Sequence, residues 1–154
     1  MKKKVILLSG IAGSGKSTWA LNYVKDHLNT AILSTDEVRY DLFGTYTPDR
    51  DSQKIVMKEI IQRASEYSSM GISVIIDTAV VVNKNRVKWY NRLRPYYDEI
   101  DLVIIDTSYE TCLKQNLMRS RHVPEKIIAQ MEGFKEEPNE LVKKLFNRIE
   151  VIKR

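Results

Sequence analysis

With 154 residues, 43% of them hydrophobic, the chain has the length of one domain and enough apolar material for a core. Its one cysteine, Cys112, excludes an internal disulfide framework and suits a reducing compartment. The apolar run behind Met1-Lys2-Lys3-Lys4 is too short for a signal peptide or a membrane span, so a cytoplasmic protein without membrane contact is expected. A net charge of +5 fits either an anionic partner or a merely solvated surface.

Val5-Ile6-Leu7-Leu8 reads as a strand buried on both faces. Directly behind it stands Gly10-Ile11-Ala12-Gly13-Ser14-Gly15-Lys16-Ser17-Thr18, the G-x-x-x-x-G-K-S phosphate-loop pattern. Glycines let successive backbone N–H groups point inward on an anion, and a helix beginning there adds the positive end of its dipole. Lys16 can reach terminal phosphates and the Ser17 hydroxyl can ligate Mg²⁺. The residues of this loop, Gly10 and Ala12 to Thr18, are therefore the expected ATP-binding set. A chance Gly- and Ser-rich turn would lack the strand before and the helix after.

Ala20, Leu21, Val24 and Leu28 recur at helical spacing over about 17–28. Ala31-Ile32-Leu33 is a second strand, followed by Ser34-Thr35-Asp36 and a helix from Glu37 to a stop at Gly44. Ser52 is expected to cap the next helix, which Gly71 ends. Ser73-Val74-Ile75-Ile76 is a third strand closing on Asp77-Thr78, and a basic helix spans about 83–94 before Pro95. Ile100 to Ile105 is a fourth strand, ending in Asp106. Thr107 and Glu110 have capping-box spacing for the helix through Leu113 and Leu117. Pro124 opens another helix with an inner face of Ile127, Met131 and Phe134, and Ile149–Ile152 is a fifth strand.

Strands alternating with helices give right-handed crossovers and a parallel sheet: an α/β, P-loop NTPase-type three-layer sandwich with five strands and a helical lid at about 115–126, in one domain over 1–154. Ligands then bind beyond the carboxyl ends of the strands, which puts the phosphate loop, Asp36 and Asp77 on one rim.

Among triphosphate users, a GTPase needs N-K-x-D, and Asn83-Lys84-Asn85-Arg86 has arginine at the base-reading position. An oligomeric ATPase motor needs a paired acidic Walker B, and Asp77 is followed by Thr78. A kinase needs a carboxylate at the acceptor hydroxyl and cations over the moving phosphate. Asp36 suits that base, or else caps the helix behind it. Arg39, one turn on, is a structural ion pair or an acceptor clamp. Arg119-Ser120-Arg121, before Val123-Pro124, is a pair of lid guanidiniums or a solvated charged face. Tyr96-Tyr97 could stack bases or pack on the sheet, and Cys112 reads as packed.

Together these residues resemble the 5′-hydroxyl polynucleotide kinase family, the kinase domains of phage and bacterial nucleic-acid repair enzymes. Asp36 and Arg39 match its D-x-x-R, Asp77-Thr78 its D-T, Arg119 its lid arginine and Val123-Pro124 its V-P, while Arg86 falls near an arginine of the helix after D-T. The resemblance implies Mg²⁺–ATP as donor and DNA or RNA 5′ ends as acceptor. It implies Asp36 as general base, with Lys16 and Arg119 on the transferring phosphate and Arg121 on the nucleotide. Arg39, Asp77, Thr78, Arg86 and Val123 fall on the acceptor side. The chain departs from the family at Ala79-Val80-Val81-Val82, where N-L or similar usually follows D-T, and at Gln115, where a second lid arginine is common. No phosphatase or ligase domain is expected within these residues. Two other readings stand beside this one: a small-molecule kinase acting on a nucleotide, gluconate or, as in zeta-type toxins, a UDP-sugar; and an ATP-binding module that transfers nothing.

Overall fold

The aliphatic run near the N terminus becomes β1 (Lys4–Ser9), the middle strand of a five-stranded parallel sheet. The computed structural model describes residues 3–120 and 123–154. From β1 the chain runs through α1 (Lys16–Asp26) to β2 (Thr30–Ser34), then through α2 (Thr35–Phe43) and α3 (Arg50–Ser69) to β3 (Ser73–Asp77). It continues through α4 (Asn83–Leu93) to β4 (Glu99–Asp106), and through α5 (Tyr109–Leu117), α6 (Glu125–Phe134) and α7 (Glu140–Leu145) to β5 (Arg148–Lys153). The strand order is β2-β3-β1-β4-β5.

Alternation along β1 builds the three expected layers. Val5 and Leu7 point to one face, where they join Val56 and Ile60 of α3, Trp89 and Leu93 of α4, and Val142 of α7. Ile6 and Leu8 point to the other face and meet Ala20 of α1 with Val103 and Ile105 of β4. Burying both faces is why β1 reads as an unbroken aliphatic run. At the outer edge, β5 is exposed at four of its six positions. Tyr97 is 1% exposed and its hydroxyl donates to the carbonyls of Ala64 and Ile72, so it packs under the sheet and stacks no base. Burial pushes its phenol pKa up. No helix among the described residues is long and apolar enough to cross a membrane.

Local structure departs from the expectations at three caps and on one helix face. Ser34 caps α2 by accepting from the N–H of Glu37, so that helix begins at Thr35 and Asp36 lies inside its first turn. Asp49 caps α3, and Ser52 is its reciprocal partner: the Ser52 N–H donates to Asp49 Oδ1 at 2.8 Å. Ser108, not Thr107, caps α5. In α6 the buried residue is Ile128, and Phe134 is 67% exposed because that helix shields a small cluster under the phosphate loop and not the sheet. Gly44 ends α2 as expected, with φ of 70° in the left-handed region.

Arg86 is a correction of another kind. It was expected on the acceptor side, yet it is 1% exposed. Its NH1 donates to Asn83 Oδ1 and to the Glu136 carbonyl, both at 2.9 Å, and its NH2 reaches Ser9 Oγ at 3.5 Å. The Glu136 N–H donates in turn to the Val81 carbonyl at 2.9 Å. Arg86 therefore ties the end of β1, the loop after β3 and the break between α6 and α7 into one polar knot. Truncation leaves several buried acceptors without a donor. Arg86→Ala is expected to cost about 2–3 kcal/mol, read as a lower urea midpoint at unchanged slope; an unchanged midpoint would remove the knot from the stability of the fold.

Candidate phosphoryl-transfer site

The loop between β1 and α1 is a cradle with its glycines where the backbone demands them. Gly13 and Gly15 have φ of 82° and 102°, a region that disfavours any side chain. A Cβ on Gly13 would also collide with the Cys112 carbonyl at the base of α5. Thr107 Oγ1 donates to the Ser14 carbonyl at 2.7 Å, so the end of β4 pins the loop from the side. Cys112 is buried, as expected, and burial pushes its thiol pKa up. Gly10 and Ala12 are buried within the loop, whereas Thr18 is exposed.

The loop's polar atoms fit a nucleotide's phosphates. Ser14 Oγ is buried with no hydrogen-bond partner among the described residues. Lys16 Nζ turns back on the Gly10 and Ile11 carbonyls at 3.0 and 3.2 Å, which holds the ammonium over the loop. Ser17 Oγ donates to Asp77 Oδ2 at 2.9 Å, joining the first turn of α1 to the end of β3. Asp77, expected on the acceptor side, thus stands beside the expected Mg²⁺ ligand. Among the described residues no three His, Cys, Asp or Glu side chains gather to hold a metal unaided, so the fit of Mg²⁺ rests on Ser17, Asp77 and phosphate oxygens.

The other expected residues sit around Lys16. Arg39 is 2% exposed and donates to Asp36 Oδ1 at 3.1 Å and to Gln53 Oε1 at 2.9 Å, so α2 and α3 together hold the Asp36 carboxylate, whose side chain is 43% exposed. Of the two readings offered for Arg39, the ion pair is the one these contacts display. Thr78 Oγ1 accepts from Thr35 Oγ1 at 3.3 Å, which binds the third strand's end to α2. Arg119 is half-buried at the end of α5, its N–H on the Asn116 carbonyl. Val123, with Leu113 and Pro124, lines a cleft of about 250 Å³ between α5 and α6. Arg121 lies outside the described residues.

Electrostatics shows the convergence. Burial pushes the Lys16 ammonium below its ordinary pKa; the Asp77 and Asp36 carboxylates oppose that shift, and the Arg119 guanidinium adds to it. One cation therefore feels groups from β3, α2 and the end of α5 at once.

Several partners had no signal in the sequence. Asn116 is 3% exposed and clamps the segment ahead of α6 reciprocally: its Nδ2 donates to the Val123 carbonyl and its Oδ1 accepts from the Val123 N–H, at 2.8 and 2.9 Å. Arg154 NH1 donates to the Ser14 carbonyl at 3.3 Å, and its guanidinium occupies the place a Cβ on Gly15 would need. Thr107 and Arg154 reach the loop across 93 and 140 residues of chain and Gln53 reaches Arg39 across 14, where local spacing says nothing.

Fold and site together define a P-loop kinase domain, a nucleotide-binding phosphotransferase fold. The chain belongs to the family described as AAA domain (AAA_33), whose model matches residues 5–138. It is similar to a protein of Autographa californica nuclear polyhedrosis virus that carries the name bifunctional polynucleotide kinase/RNA ligase, at 25% identity over 135 residues, covering 79% of this chain and 19% of the viral protein. The chain thus spans about a fifth of that relative's length. Among solved structures it resembles a chain of the Pnkp1/Rnl/Hen1 RNA repair complex, with a TM-score of 0.71 at 21% identity over 91% of this chain and 49% of that one. It also resembles a sugar kinase from Janibacter sp. HTCC2649, with a TM-score of 0.70 at 15% identity over 99% and 86%. The resemblance to polynucleotide kinases met in the sequence is matched by the name of the viral relative, while the two solved structures share the fold.

The lowered pKa of Lys16 has a measurable sign. Between that lowered value and 10.5 the folded chain sheds a proton that the unfolded chain keeps, so stability rises with pH in that window. The melting temperature of wild type minus that of Lys16→Met is expected to climb as pH rises through the window; a flat difference would contradict the burial of this ammonium.

Proposed function

We propose that this domain is a Mg²⁺–ATP-dependent kinase acting on the 5′-hydroxyl of nucleic-acid ends. The observation that carries the reading is the single row of strand ends that sets Asp77, bonded to Ser17 Oγ of the phosphate loop at 2.9 Å, beside the start of α2, where Asp36 is held by Arg39 at 3.1 Å. In this reading the loop N–H groups and Lys16 hold the donor phosphates. Ser17 and Asp77 would hold Mg²⁺, which would supply positive charge against the donor phosphates. Asp36 accepts the proton of the acceptor hydroxyl while its oxygen forms a bond to the γ-phosphorus and the bond to the ADP oxygen breaks; the proton leaves to solvent after release. Ser34 already caps α2, so Asp36 is not needed as a cap. Arg39 orients the base through its bond to Asp36, and Gln53 fixes Arg39 in turn. Arg119, on the lid expected at about 115–126 of this single domain, covers the transferring phosphate.

Two things support a nucleic-acid acceptor. One is the name of the viral relative. The other is α4, NKNRVKWYNRL, which has no acidic residue and carries Lys84, Lys88 and Arg92 at i, i+4 and i+8, all exposed. Like charges at that spacing weaken a helix by a few tenths of a kcal/mol per pair, roughly, a cost that a phosphate backbone would offset. The fold alone is shared with small-molecule kinases, so γ-labelled ATP should be offered in parallel to 5′-OH DNA, 5′-OH RNA, nucleosides and UDP-sugars. Label is expected on the oligonucleotides, with a KM that rises steeply with salt; label confined to small metabolites overturns the acceptor class. Asp36→Ala is expected to keep the fold and lose at least ~100-fold in kcat, with Lys16→Ala and Arg119→Ala similarly impaired. Near-normal turnover in Asp36→Ala would remove it from the base role.

A further inference from the structure

Helix α2 does more than carry Asp36. Its buried side is formed by Thr35, Val38 and Arg39. Asp36, Tyr40 and Phe43, at i, i+4 and i+7, share a different stripe, and Tyr40 and Phe43 are 48% and 44% exposed. Side chains on a helix lean toward its N-terminal end, which directs the Tyr40 side chain toward the turn that carries Asp36. Beyond the Gly44 turn the chain returns and lays Tyr46 on Tyr40, ring centroids 4.6 Å apart and planes 16° from parallel. A near-parallel aromatic pair left half in water, one helical turn from the proposed base, adds little to the core of this fold. Stacked on Tyr46, the Tyr40 ring is held ready for a planar partner at small entropic cost.

We infer that the Tyr40–Tyr46 pair is a stacking platform for the nucleobase of the terminal nucleotide, the one whose 5′-hydroxyl is presented to Asp36. The inference rests on the polynucleotide-kinase reading and sharpens it: the acceptor must carry a base at its terminal residue, and because every base has a π-face the platform is indifferent to which base it is. A sugar or an inorganic group offers no such surface. The acceptor would then be recognised at two points on one helix, the hydroxyl by Asp36 and the base by Tyr40, which fixes the direction of attack as well as the affinity.

The test compares one 5′-OH oligonucleotide with its twin whose 5′-terminal residue is abasic, using the full chain. Kinetics are measured for wild type, Tyr40→Ala and Tyr40→Phe, and the Tyr40 ring resonances are followed by NMR as each oligonucleotide is added. Wild type is expected to show a KM lower by about tenfold for the base-bearing end. Tyr40→Ala should abolish that difference by raising only the base-bearing KM, with the loss falling on KM and not kcat. Tyr40→Phe, which keeps the ring, should restore it. The Tyr40 resonances should move upfield with the base-bearing oligonucleotide alone. Equal KM values for the two ends in wild type, or a Tyr40→Ala effect equal on both, would overturn the platform while leaving the kinase standing. If neither oligonucleotide is phosphorylated the kinase reading falls, and the ring shifts then decide separately: a base-dependent shift supports the platform and its absence overturns it.

Discussion

Everything at the rim depends on the register of three parallel strands. Leu8 of β1 pairs with Asp77 of β3, and Asp77 pairs with Ser34 of β2, so the strand ends lie on one row. From that row the chain leaves in three directions: through the phosphate loop, into α2 two residues before Asp36, and from Asp77 itself. The bond from Ser17 Oγ to Asp77 Oδ2 closes the row on the loop side. Parallel strands have evenly spaced, one-directional ladders, so a shift of one residue in β3 would carry the carboxylate off the row and turn it to the other face.

The rim is held from outside by polar contacts that the core could not supply. Thr107 pins the Ser14 carbonyl, Arg86 gathers Ser9, Asn83 and Glu136, and Asn116 holds Val123 at both its N–H and its carbonyl. Buried polar groups of this kind are costly unless fully paired, and once paired they define one geometry. The phosphate loop is thus a rigid element framed by β4 and α5, while the α2 side, where Asp36 is 43% exposed, stays open to solvent. Donor and acceptor halves differ in the way the chemistry asks: the phosphates need a preformed cradle, and the acceptor must come and go.

The sheet was legible in the sequence because its strands are short aliphatic runs between helical patterns, and all five fall within a residue or two of where the runs lie. The donor side was legible for a related reason: a phosphate loop is built from consecutive residues, so its chemistry is written in one place. Caps were read less well. Ser52 and Thr107 have the right side chains, but Asp49 and Ser108 stand nearer the points where the backbone turns. Arg86 was placed on the acceptor side by its likeness to a family arginine, and nothing local to it shows that Glu136, fifty residues on, returns over it. Gln53 and Arg154 left no trace at all, since each acts through a partner that only the folded chain brings near. The Tyr40–Tyr46 stack depends on a turn whose path the sequence marks only by Gly44.

The order of the strands has a consequence for how this chain reaches its shape. β1 is first in sequence but central in the sheet, and its neighbours β3 and β4 begin near residues 73 and 99. The phosphate loop hangs from the end of β1 and is pinned by Thr107 just past β4. The pinned form of the loop cannot arise on a ribosome until Thr107, 93 residues beyond Ser14, has emerged. The β2–α2–α3–β3 portion, contiguous and self-pairing, can assemble earlier. Loops closed over such distances slow folding, so the most recognisable segment of this protein is among the last to take its form.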